Sequence, residues 1–159
     1  MTGVQTCALP ICLTIYPDLC VYLEANSWSP ELGYPITRDL LAHTRDFTAI
    51  FCFNDIAAIG AIRAIADAGL RCPDDISDIG FDDISSAAYQ TPRLTTVRQP
   101  LLRMGETAVQ TLLKRIEAPT AAYPEVILFE PELMVRESTA AAKPAAPTLA
   151  KPRKTASRR

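Results

Sequence analysis

The sequence has one histidine, one tryptophan and no apolar run long enough to cross a bilayer. Each shortage closes a class of function. Cysteines at positions 7, 12, 20, 52 and 72 form no CxxC pair and no cluster with His43, so the ligands for a metal site are missing. A spanning helix needs roughly 20 consecutive apolar residues, and the N-terminus lacks the basic-then-apolar stretch of a secretion signal. Neither membrane insertion nor export is expected. The strings GxSxG, GxGxxG and the P-loop do not occur, which removes the familiar nucleophile, dinucleotide and nucleotide sites and leaves no cofactor to expect. An odd cysteine count without a leader suits a reducing, cytoplasmic compartment, where Cys52 in "TAIFCF" acts as a small apolar side chain.

Positive charge is scarce where a fold is expected. Sixteen Lys and Arg stand against eighteen Asp and Glu, but residues 140–159 hold six basic side chains and no acidic one. Residues 1–139 therefore carry a net charge of −8, the wrong sign for a surface that grips phosphates. With 48% apolar and 21% charged residues, the body reads as one globular domain.

The two ends read differently from the body. "MTGVQTCALPI", Met1 to Ile11, resembles the in-frame translation of a common sequencing-adapter primer and is set aside as a non-native scar. The segment 140–159 is built of Ala, Pro, Lys, Arg, Ser and Thr, with Leu149 its one large apolar residue, and is expected to be a disordered basic tail. Residues 12–139 remain as the domain.

Within that domain, strands alternate with helices. "TAIFCF" at 48–53 is a β-branched and aromatic run followed at once by Asn54, a good N-cap, and by an apolar segment ending at Gly69. "ISDIGF" at 76–81 leads into "DDISS", and "LTTV" at 94–97 leads through Pro100 into a helix reaching Glu117. Upstream, 19–24 suggests another strand and 30–44 another helix, which Pro35 should kink or restart. Downstream, "EVILFEPELMVRES" suggests two short strands around Pro131. Such alternation specifies an α/β fold with a parallel sheet and flanking helices.

Two helices contrast. From Leu101 to Glu117, Leu101, Gly105, Ala108, Leu112 and Ile116 form one stripe opposite Arg103, Glu106, Gln110, Lys114 and Glu117. From Ile56 to Ala66 only Arg63 is polar, so that helix wants cover on two sides, with a partner subunit as the expected second cover.

Open parallel sheets bind ligands beyond the carboxyl ends of their strands. "FCFND" places Asn54 and Asp55 at such an edge, and "IGFDD" places Asp82 and Asp83 at the next. Asn54 both donates and accepts while an ionised Asp82 only accepts, which suits adjacent hydroxyls of a polyol or ring nitrogens of a base. Asn54 and Asp55 serve equally well as helix cap and first-turn carboxylate. Trp28 precedes the helix start Ser29-Pro30-Glu31 and suits either a stacking wall or the core. Catalysis is not expected: Asp82 and Asp83 are adjacent and diverge in an extended chain, and His43 reads as a solvated helix end.

The run "FTAIFCFNDIAAIGAIRAIADAGLRCPDDISDIGFDDI", then "TPRLTTVRQPLLRMGETAVQTLLKRI" and "PELMVRES", resembles the C-terminal part of bacterial lactose-repressor and galactose-repressor type transcription regulators over about residues 13–139. The resemblance implies a type I periplasmic-binding-protein-like C-terminal lobe, with the N-terminal lobe and the helix-turn-helix missing. It implies a homodimer, a sugar-like effector, and operator DNA bound only through that missing N-terminal domain. Carried over residue by residue, Trp28, Asn54, Asp82 and Leu101 are implied as effector contacts. Ile62, Ile65 and Tyr89 are implied at the dimer interface. Relatives use such an aromatic and carboxylate pair for purines as well as sugars. The alternative is a solute-binding protein for sugar uptake, which shares the architecture but needs a secretion signal. Two positions depart from the pattern: Pro35, and Asp78, where the family has an aliphatic residue in a buried strand. An ionised side chain there costs several kcal/mol unless paired. Without the first lobe, the stripe of the Leu101–Glu117 helix should be left uncovered and invite association.

Overall fold

The computed structural model describes residues 19–20 and 30–141. The adapter-like segment, Trp28, most of the strand expected at 19–24 and nearly all of the basic tail lie outside the described residues.

The order is α1 (Pro30–His43), β1 (Ala49–Phe51), α2 (Asp55–Asp67), β2 (Ser77–Phe81), a 3-10 turn (Ser85–Tyr89), β3 (Thr95–Arg98), α3 (Leu101–Glu117) and β4 (Glu132–Met134). The four strands form one sheet in the order β1-β2-β3-β4. The first three run parallel, with Phe51 beside Ile79 and Ile79 beside Thr95; β4 returns antiparallel, pairing Val97 with Leu133.

Local chemistry sets the ends of α2. Asn54 is extended, and its side chain accepts a hydrogen bond from the Ala57 amide at 2.8 Å, satisfying one of the orphan donors of the first turn. At the other end Gly69 takes φ +73°, while its amide bonds the Ala66 carbonyl and the Leu70 amide bonds the Ile65 carbonyl. That is a Schellman closure, which needs a residue free of the Cβ penalty at the left-handed position. Leu70 then folds back onto the cluster of Leu41, Ile65 and Ile76.

The second cover of α2 comes from this chain. One side lies on β2 and the other on α1, and a Cβ at Gly33 of α1 would run into the Ala57 carbonyl. Small residues on α2, Ala57, Ala58, Ala61 and Ala64, permit this close approach and are buried. Ile62 packs with Ala58, Ala87 and Leu94, and Ile65 is fully buried. The expectation that Ile62 and Ile65 face a partner subunit is therefore corrected: both belong to the core. Tyr89, 85% exposed, remains on the surface.

Other expectations also change. Helix α1 runs unbroken through Pro35. Pro35 is the sixth residue of the helix, so its missing N–H leaves one helical hydrogen bond unmade while the helix continues past it to His43. "DDISS" leads into a single 3-10 turn rather than a full helix, and the segment around Pro131 yields one strand rather than two. Asp78 finds no edge. It lies fully buried in the second of four strands, bonded through its backbone to Ser138 on both sides: its amide donates to the Ser138 carbonyl at 2.8 Å, and the Ser138 hydroxyl donates to its carbonyl at 2.6 Å.

Helix α3 has the expected bounds, yet none of its residues is buried. Leu102 is 77% exposed, and Leu101, Val109, Leu112, Leu113 and Ile116 are exposed with it. Its described tertiary ties are at its C-terminal end, where the Tyr123 hydroxyl donates to the carbonyls of Lys114 and Ala118 and the Arg115 guanidinium sits 5.2 Å from the Tyr123 ring centre. No helix among the described residues is long and apolar enough to cross a membrane.

Candidate functional site

The carboxyl ends of β1 and β2, adjacent and parallel, bring Asn54 and Asp82 to one edge of the sheet. Asn54 is buried and its Oδ1 is committed to capping α2, so the cap is the role its oxygen demonstrably plays. Only its amide nitrogen is left to face a ligand.

Asp55 is more deeply built in than its first-turn position suggests. Its carboxylate is fully buried and crosses over β2, where Gly80 makes room: a Cβ at Gly80 would collide with Asp55 Oδ1. Oδ1 accepts from the Thr96 hydroxyl of β3, and Oδ2 accepts from the Ile84 amide at 2.8 Å. Burial pushes this carboxyl up, the bonds from Thr96 and Ile84 pull it back down, and the neighbouring Asp82 and Asp83 charges add to the rise.

Asp82 and Asp83 occupy an unusual turn, with φ of +112° and +53°. Two consecutive non-glycine residues in this region cost about 1–3 kcal/mol each and persist only when the surroundings hold them there. The surroundings do. The Asp82 amide bonds the Val97 carbonyl at 2.9 Å, the Asp83 amide bonds Thr96 Oγ1 at 3.3 Å, and the Ile84 amide is taken by Asp55. The Asp83 carboxylate receives Arg136 at 2.5 Å and Arg98 at 2.6 Å, while a second nitrogen of Arg136 reaches the Leu94 carbonyl. Burial alone would raise the Asp83 carboxyl; the Arg136 and Arg98 guanidiniums outweigh it and hold it below the usual range.

This anchoring leaves the half-buried Asp82 as the carboxylate of the loop that is not tied to an arginine. Its Oδ1 accepts from the Gln99 side-chain amide at 2.7 Å, and its other oxygen makes no hydrogen bond among the described residues. Leu101 lies exposed two residues beyond Gln99, at the start of α3. The carboxylate pair splits as its adjacency implied, Asp82 toward Gln99 and Asp83 toward the arginines. His43 closes α1 with its Nδ1 2.7 Å from the Asp39 carbonyl, far in sequence and role from this rim.

Gln99, Thr96, Gly80 and Arg136 are the residues that sequence reasoning left without a role. Three of them sat inside quoted motifs, "LTTVRQP" and "PELMVRES", and Gly80 inside "IGFDD". An apolar cleft of about 280 Å³ also exists, lined by Gly33, Ile36, Leu40, Phe51, Phe53 and Ala57, but it follows α1 and β1 and includes neither Asp82 nor Gln99. No cluster of metal-ligating side chains occurs among the described residues.

A parallel sheet with polar residues gathered beyond its carboxyl ends defines the class, a ligand-binding α/β lobe. The sequence matches the periplasmic binding protein-like domain over residues 17–139. The repressor PurR of Mannheimia succiniciproducens, an HTH-type transcriptional repressor, is 45% identical over 117 residues, 74% of this chain and 35% of that protein. Among solved structures, the transcriptional regulator CelR in its cellobiose complex superposes with a TM-score of 0.74 at 30% identity, covering 86% of this chain and 40% of that one. A LacI family transcriptional regulator from Enterococcus faecium with bound ribose gives 0.64 at 38% identity, over 74% and 42%. The chain belongs to the periplasmic binding protein-like family, as an effector-binding domain of the LacI/GalR type. It spans about a third of the length of the curated relatives it matches.

Proposed function

We propose that this chain is the effector-sensing part of a LacI-type transcriptional regulator, taking a small polar metabolite at the rim formed by Asp82, Gln99 and Asn54. The observation that carries the reading is Asp82: a carboxylate held by a strained, fully pinned turn at the carboxyl edge of the sheet, with one oxygen oriented by Gln99 and the other turned to no protein donor among the described residues. Such an acceptor suits a hydroxyl or ring N–H of a ligand. Similarity to regulators solved with cellobiose and with ribose supports a sugar-like effector. Trp28 and Leu101 are the proposed apolar contacts. The intact protein would act as a cytoplasmic homodimer, with Tyr89 at the subunit interface, and reach operator DNA through a domain outside this sequence. Effector binding would shift the population of DNA-competent dimers without any catalytic step. The uptake alternative has less support, since the relatives and neighbours named above are transcriptional regulators.

The test is calorimetry of the full-length protein encoded at the locus against sugars, sugar acids and purine bases. One class should bind, and Asp82→Ala should weaken it by about 10- to 100-fold, the worth of a hydrogen bond to a charged group. Binding unchanged by Asp82→Ala would refute the proposed rim.

A further inference from the structure

We infer that Asp55 is a positioning residue for the effector rim: its buried carboxylate locks the Asp82–Ile84 turn from below and so fixes where the Asp82 carboxylate stands. The inference rests on the effector reading above.

Three observations carry it. The carboxylate reaches across β2 to bond β3 through Thr96 and the turn through the Ile84 amide, linking the carboxyl ends of three parallel strands with one side chain. Gly80 is bare where that carboxylate passes, so β2 is shaped around it. Thr96 closes the circuit, since its hydroxyl gives its proton to Asp55 and its oxygen accepts the Asp83 amide. With both Asp55 oxygens accepting, the arrangement is matched to the ionised form. A helix cap alone explains none of this, because Asn54 already performs the capping.

The turn it restrains is the one with two positive-φ aspartates. Released from Asp55 and Thr96, these residues have every reason to relax toward ordinary backbone angles, which would swing Asp82 away from Gln99. Asp55 therefore acts on a ligand only through Asp82.

Amide hydrogen exchange in the 159-residue chain, read at Ile84 and at the Gln99 side-chain amide with Ile65 as reference for global opening, tests this. Asp55→Asn loses the charge and leaves one acceptor oxygen where Ile84 and Thr96 now share two, so it should speed Ile84 exchange relative to Ile65 by about ten-fold or more, the factor for losing a hydrogen bond to a charged group. It should also shift the Gln99 amide resonance. Should Asp55→Asn fold poorly, Thr96→Val removes the same circuit from the other side and should act alike, while Thr96→Ser restores wild-type exchange. Ser138→Ala, which cuts two buried bonds at the opposite end of β2 and β3, should leave the Ile84-to-Ile65 ratio unchanged. An unchanged ratio in both Asp55→Asn and Thr96→Val, or an equal change in Ser138→Ala, overturns the inference. In the full-length protein encoded at the locus, D-ribose or cellobiose should move the Gln99 amide. If neither does while Ile84 is released in Asp55→Asn, the sugar reading of the rim fails and the positioning role of Asp55 is supported.

Discussion

Helices α2 and α3 each follow a parallel strand of the same sheet, and they end in opposite states. Helix α2, with hardly a polar residue along its length, is covered on one side by β2 and on the other by α1. Helix α3, with the cleaner division into apolar and charged faces, has no buried residue at all. The contrast teaches that amphipathic spacing specifies which face of a helix seeks cover, and says nothing of whether the cover belongs to the same stretch of chain. A nearly all-apolar helix, by contrast, can exist only where cover is already at hand.

The largest effect that would sharpen this comparison lies in the covered half, at Asp78. Its carboxyl sits at zero exposure with Cys52 Sγ 3.5 Å from one oxygen and no partner for the other among the described residues, and burial pushes it up to about 8. The folded state therefore holds a proton that the unfolded chain releases near pH 4. Stability should fall as pH rises between about 4 and 8 and level off above, by on the order of 5 kcal/mol at about 1.4 kcal/mol per unit. Asp78→Val, which restores the aliphatic side chain expected there, should abolish that slope and raise the denaturation midpoint at pH 8. Urea titrations from pH 4 to 9 read both, and an unaltered slope in Asp78→Val would show that the carboxyl is not the source.

Next in size, Ile65→Ala in α2 should cost about 2–5 kcal/mol by lost transfer energy and the cavity left behind. A smaller, opposite pH effect comes from Asp83. Held ionised by Arg136 and Arg98, it contributes stability that is present above about pH 4 and lost as pH falls through its lowered folded value. Asp83→Asn should flatten the acid limb, leaving the Asp78 limb as it was. Least affected, Leu112→Ala in α3 should change monomer stability by no more than about 0.5 kcal/mol, because the side chain is already in water. The same face should instead govern association. Size-exclusion chromatography of the wild type should reveal self-association that Leu112→Glu with Leu102→Glu reduces. A wild-type chain that runs as a monomer at high concentration, or an Ile65→Ala cost no larger than that of Leu112→Ala, would break the distinction between the two helices.

The sequence made the alternation of strands and helices legible because each strand here is a short apolar run closed by a cap or a proline. Asn54 announced α2, and Pro100 announced α3 so clearly that its bounds match. The edge carrying Asn54 and Asp82 followed from the rule that parallel strands present polar residues beyond their carboxyl ends. What stayed hidden depends on contacts between distant segments. Ile62 and Ile65 were read outward because nothing in a linear pattern reports that Gly33 lets α1 come close. Pro35 was expected to kink or restart α1, and the helix instead continues through it with one bond forgone. The strand Glu132–Met134 pairs antiparallel to β3, a register that no local pattern encodes. Asp55 reads as an ordinary first-turn acid until Thr96, forty-one residues later, is found against it.

Ser138 gives a practical boundary to anyone cutting this gene. Its hydroxyl receives the Thr95 amide at 2.8 Å and donates to the Asp78 carbonyl, stitching the amino ends of β2 and β3 together after the chain has left the sheet. An expression product trimmed after Ala140 keeps that stitch, whereas one ending at Glu137 would unpick the seam beside Asp78, the only buried acid among the described residues that has an oxygen to spare.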